Sequence, residues 1–83
     1  MYFEAVFQPS SDSQYNASAN EFMGKKVAIQ EGWVLEDGPH RGQQCYYMPN
    51  SNVGCIPASD LQEIKSVPYV QWRHTHELIG LDK

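Results

Sequence analysis

The side chains with chemical potential in this chain are few: three histidines (His40, His74, His76) and two cysteines (Cys45, Cys55). Imidazole and thiolate together suit zinc, but strong zinc sites announce themselves by tight Cys-x-x-Cys pairs or a helical His-x-x-x-His step. Neither spacing occurs here. His74-Thr75-His76 is the best candidate pair, because on a strand alternate residues point to one face. The plainer expectation is solvent-facing histidines and no bound metal. A Cys/His nucleophile would need Cys45 or Cys55 beside His40 or His74, with an Asn or Asp to orient the imidazole. Nothing in the spacing brings them together, so the cysteines read as small buried hydrophobes, with a cross-strand disulfide as the alternative. Ser10 to Ser13 and Ser59-Asp60 lack the strand-turn-helix context of a nucleophile elbow. Gly32, Gly38 and Gly42 are spaced as turns and not as a phosphate-cradling loop. The expectation is a protein without catalytic residues or cofactor.

Aromatic residues carry more. Tyr46 and Tyr47 are adjacent, so on a strand one faces away from the core. Trp33 and Tyr15 stand apart from the other aromatics, and Tyr69 and Trp72 fall near the C-terminus. Tyrosine and tryptophan anchor interfaces because they bury a large area at small entropic cost. The competing account is that Trp33, Tyr47 and Trp72 complete a small core, leaving Tyr15 and Tyr46 outside.

These side chains must be held by strands. Residues 2–7 alternate, with Phe3, Ala5 and Phe7 on one face. Pro9-Ser10-Ser11-Asp12-Ser13 opens a long polar loop to about Asn20, and Lys25 to Gln30 alternates again with Val27 and Ile29 inward. Glu31-Gly32 signals a turn before a short strand at Trp33 to Glu36. Asp37-Gly38-Pro39-His40-Arg41-Gly42 is the strongest loop signal in the chain. Gln43 to Met48 and Val53 to Pro57 read as strands around a Pro49 to Asn52 turn. Pro57 lacks an N–H and ends the ladder, Ser59 or Asp60 can cap one helical turn, and Leu61 to Lys65 is the last barrel strand. Beyond it, residues 66–83 read as an appendage: an edge strand at Val67 to Trp72, then a turn at Glu77 to Gly80.

Strand, long polar loop, strand, turn, strand, turn, strand, helical turn, strand is the order of an SH3-like barrel, which this chain resembles over residues 2–65. Ala5-Val6-Phe7 is similar to that family's opening strand. Gly54-Cys55-Ile56-Pro57-Ala58-Ser59-Asp60-Leu61 resembles its closing Gly-x-apolar-Pro segment. Gly38-Pro39-His40-Arg41-Gly42 looks like the Gly-Pro-x-basic-Gly turn of KOW motifs, which sit on the same barrel. The resemblance implies a mainly β, five-stranded barrel over residues 1–65 with a C-terminal extension, 66–83, packing on it or on a partner. Gln8 and Pro9 stand where two aromatics of polyproline-binding members would begin, and Leu61 where a groove tyrosine would follow Pro57. A proline-rich ligand is therefore not implied.

The 83 residues carry a net charge of −4, with only six Lys and Arg. That argues against nonspecific nucleic-acid binding, which draws its free energy from counterion release at a basic face. No apolar run approaches the roughly 20 residues that span a bilayer. The acidic first residues do not form a signal peptide, so the expectation is a cytoplasmic protein without a membrane. The function expected is a non-enzymatic interaction module, or a small inhibitory or accessory protein. It would bind a protein partner with a basic surface through an acidic, aromatic-containing face: Tyr15, Trp33, Asp37, His40, Arg41 and Tyr46. The alternatives are a KOW-like nucleic-acid or ribosome-associated module, a small metal- or thiol-dependent enzyme, and a homodimer paired through the 67–72 edge.

Overall fold

The computed structural model describes residues 1–11 and 13–80. Its strands are β1 (Tyr2–Phe7), β2 (Lys26–Val34), β3 (Gln44–Tyr47), β4 (Ile56–Pro57) and β5 (Leu61–Ser66), followed by one helix, α1 (Tyr69–Leu78). Short 3-10 helices occupy Ala17–Phe22, before β2, and Ala58–Asp60, between β4 and β5. All neighbouring strands are antiparallel. They form one sheet in the order β4-β3-β2-β1-β5, curled into a half-barrel. This mainly β architecture, with its short C-terminal element, is the one the SH3-like resemblance implied.

The alternation in β1 explains the core. Ala5 and Phe7 point into the half-barrel with Val27, Ile29, Ile56 and Leu61, and Phe22 and Ala19 of the first 3-10 helix close one side. The opposite face of β1 is not solvated as period-two patterning would suggest, because Glu4 is buried there as well. The cover is α1.

That helix corrects the expected strand at Val67 to Trp72. Pro68, extended at φ −63° and ψ 152°, is its N-cap and ends the run of β5. From there Tyr69, Trp72 and His76 recur at helical spacing, so one face of α1 carries all three. The Tyr69 and Trp72 rings stack at 6.2 Å, and Trp72 stacks on His76 at 4.9 Å. Trp72 is buried, and its indole N–H donates to the Ile29 carbonyl at 3.0 Å. With a helix at these residues, the edge strand required for pairing two copies through 67–72 does not exist.

Two further boundaries differ. Residues 26–34 form one strand, not two separated by a turn at Glu31-Gly32. Gly32 faces Cys45 across the ladder so closely that a Cβ there would lie 2.9 Å from Cys45 Sγ. Close approach, not a turn, requires this glycine. A register shift between Glu31 and Val34 marks a bulge at the same place. The strand expected from Val53 shrinks to Ile56–Pro57, because Gly54 at φ 84° cannot continue an extended ladder.

Candidate functional site

The long loop after β1 runs over the end of the half-barrel, and one carboxylate holds it there. Asp60, fully buried at the end of the second 3-10 helix, accepts the Ser10 N–H at 3.1 Å and the Tyr15 hydroxyl at 2.6 Å. Its carbonyl accepts the Gln8 N–H at 2.8 Å. The cap expected from Ser59 or Asp60 does not form: the N-cap of the turn is Pro57, and no side chain caps it. The carboxylate is spent on the loop instead. The Tyr15 ring packs edge-on against Phe7 at 5.2 Å, tying the loop to the core.

Protonation states follow from this arrangement. Burial alone would raise the Asp60 carboxyl, but hydrogen bonds from Ser13, Tyr15 and Ser10, with His40 nearby, hold it below the ordinary carboxylate value. The Tyr15 phenol is raised far above its usual value, first by burial and then by the hydrogen bond and charge of Asp60. The pair is therefore a carboxylate accepting from a neutral phenol at any ordinary pH.

The second wall is the β2–β3 connection. It is folded on itself by Leu35 N–H to Gln43 carbonyl and Gly42 N–H to Leu35 carbonyl bonds, at 2.9 and 2.8 Å. From it His40 reaches across: Nε2 lies 3.3 Å from Ser13 Oγ in the long loop, and Nδ1 lies 3.4 Å from Ser59 Oγ. Between the walls is an open groove of about 420 Å³. Leu35, Pro39 and Pro57 give it apolar surface, Tyr15 and His40 give it polar edges, and the partly exposed Cys55 thiol also lines it. The volume falls in the range that holds a small ligand or a few side chains of a partner.

Of the residues expected at a binding face, Tyr15 and His40 meet in this groove. Asp37 and Arg41 are exposed on the connection that carries His40. Trp33 is 58% exposed at the end of β2, just before that connection, and its backbone N–H donates to Cys45 Sγ. Tyr46 is elsewhere: it is half-buried on the core, edge-on to Phe3 at 5.8 Å. Tyr15 is half-buried as well, so neither tyrosine expected outside is a free surface aromatic. Tyr47 is the exposed member of its pair, its hydroxyl donating to Gln30 Oε1.

Ser13, Gln14, Leu35, Pro39, Cys55 and Pro57 line the groove without having been expected at the binding face, and neither was the buried Asp60 that holds the long loop beside it. The run Ser10 to Ser13 reads in sequence as the opening of a polar loop and the Ser59-Asp60 step as a helix cap, and neither reading joins the two. Their partnership lies 45 to 50 residues apart in sequence and leaves no local signal.

The candidate His74/His76 metal pair does not assemble. On α1 the two residues fall on different sides, His74 exposed and His76 buried against Trp72. Among the described residues, no group of three or more His, Cys, Asp and Glu is placed to hold a metal ion. Cys45 and Cys55 are free thiols. No described helix is long and apolar enough to cross a membrane. No protein-family model matches the chain, and no curated protein or solved structure matches it either.

Proposed function

We propose that the chain is a non-enzymatic interaction module that takes an extended segment of a larger, basic protein into the groove between the long loop and the β2–β3 connection. The observation that carries this reading is the groove itself, walled by a long loop that Asp60 anchors and a β2–β3 connection that His40 links to it. A pre-ordered groove binds without the loop-ordering entropy that weakens flexible sites. Its apolar residues offer area for one or two partner side chains, and Trp33 at its approach supplies an exposed anchor. Glu36 and Asp37, both exposed beside it, and the net charge of −4 favour a partner carrying Lys or Arg.

The test is selection from a displayed library of random peptides, with the wild-type chain and a Leu35→Asp/Trp33→Ala variant as paired baits. Enrichment of Lys- or Arg-containing peptides that bind the wild type at least tenfold more tightly supports the reading. Peptides that bind both baits equally, or no enrichment at all, overturn it. Capture of RNA with a steep salt dependence would replace it with the nucleic-acid alternative.

A further inference from the structure

Cys55 and Cys45 form a pair with unequal access. Cys55 is partly exposed and lines the groove, whereas Cys45 on β3 is completely buried. The two are brought together by the β3–β4 ladder, in which Cys45 pairs with Pro57, two residues beyond Cys55. Cys55 itself precedes β4 and follows Gly54, whose φ of 84° takes this stretch out of the ladder. The segment is thus not fixed by strand pairing on the Cys55 side. Around Cys45 the space is specific: Gly32 has no side chain to crowd the sulfur, and the Trp33 backbone N–H donates to Sγ at 3.3 Å.

We propose that Cys55 is a groove-facing site of thiol–disulfide exchange with a low-molecular-weight disulfide, and that Cys45 resolves the adduct into an internal Cys45–Cys55 disulfide. In the first step Cys55 loses its proton to solvent and its thiolate attacks one sulfur of the small disulfide. A mixed disulfide forms and one small thiolate leaves. In the second step Cys45 gives up its proton and its thiolate attacks Cys55 Sγ; the mixed-disulfide bond breaks, the internal bond forms, and the second small thiolate leaves and takes up a proton. Both protein thiols are oxidised and the small disulfide is reduced to two thiols, so electrons balance. Burial, then the charge and hydrogen bond of Cys45, push the Cys55 thiol up, so exchange is slow near neutrality and accelerates as pH rises. The consequence is a groove whose lining changes with redox state. This inference does not depend on the partner proposed above.

The experiment uses the reduced full chain with excess oxidised glutathione, followed by intact mass at pH 7 and pH 9. Cys45→Ser and Cys55→Ser variants are first confirmed folded by circular dichroism. The wild type is expected to pass through a one-glutathione adduct to a species lighter by two hydrogens. Cys45→Ser should stop at the adduct, and Cys55→Ser should react at least about tenfold more slowly, its remaining thiol being buried. The wild type, treated identically in denaturant, shows that both thiols are competent. The proposal is overturned if Cys55→Ser is modified as fast as the wild type. It is equally overturned if the wild type stops at the mixed adduct, or if it stays reduced unless denatured.

Discussion

Tyr15 and Asp60 lie 45 residues apart in sequence and share the hydrogen bond, 2.6 Å long, on which the long loop depends. The same carboxylate accepts the Ser10 N–H, so one buried charge fixes both the entry and the middle of the loop. Replacing Asp60 by Ala leaves a half-buried phenol and a backbone N–H without an acceptor. The expected loss is about 2–4 kcal/mol of unfolding free energy, from unmet hydrogen bonds to a charged group. Tyr15→Phe removes one donor and keeps the ring on Phe7, so its loss should be nearer 1–2 kcal/mol. Urea denaturation of both variants checks the order. Equal losses would mean that the carboxylate does not organise the loop.

Acid should weaken the fold through this residue. The folded-state value of Asp60 lies below its ordinary one, so its contribution is fully present above the unfolded value of about 3.9. It is lost as pH falls through the lower folded value. Thermal melts of the wild type should therefore drop steeply below about pH 4. An Asp60→Asn variant, which has no proton to gain there, should start less stable and show a shallower acid limb. Parallel limbs would place the acid sensitivity in another carboxylate.

Gly32 is expected to resist substitution for a reason unrelated to turns. A methyl group at this position would meet Cys45 Sγ at 2.9 Å and the Cys45 carbonyl oxygen at 3.3 Å. Gly32→Ala should cost about 1–3 kcal/mol, as overpacking does in a filled site. Adding Cys45→Ala removes the sulfur but not the carbonyl. A double-mutant cycle by urea denaturation should show the second change costing less in the Gly32→Ala background than alone. Additive losses would refute the clash.

The barrel strands were legible because period-two alternation is a local signal, clear in Phe3, Ala5 and Phe7 and again in Val27 and Ile29. Gly32 was misread because a glycine opposite a cross-strand sulfur looks, in one dimension, the same as a glycine in a turn. Residues 67–72 were misread for a related reason. Val67, Tyr69, Val70 and Trp72 have strand composition, and only the wider spacing from Tyr69 through Trp72 to His76 reveals the helix. For the groove, Tyr15 and His40 could be singled out as polar or aromatic residues on loops. Asp60 could not, since its role depends on a loop that returns from the far end of the chain.

The docking of α1 rests on a polar contact as well as on Trp72. Glu4, buried on the outer face of β1, accepts from Gln71 Nε2 at 2.9 Å and from the Thr75 hydroxyl, with Lys26 Nζ 3.9 Å away. Two helix residues one turn apart thus grip a single carboxylate, while the indole of Trp72 fixes the helix to β2. Trp72→Ala should be the more damaging change, about 3–5 kcal/mol for a large buried aromatic. Thr75→Val keeps the shape and removes the donor, for about 1–2 kcal/mol. Because Glu4, Gln71 and Thr75 act through one network, Thr75→Val combined with Glu4→Gln should lose less than the sum of the single changes. Hydrogen exchange locates the effect: amides of α1 should lose protection in every variant, before those of β1 and β2. Simultaneous loss across helix and sheet would mean that α1 is an integral part of the cooperative fold and not an element docked on its outside.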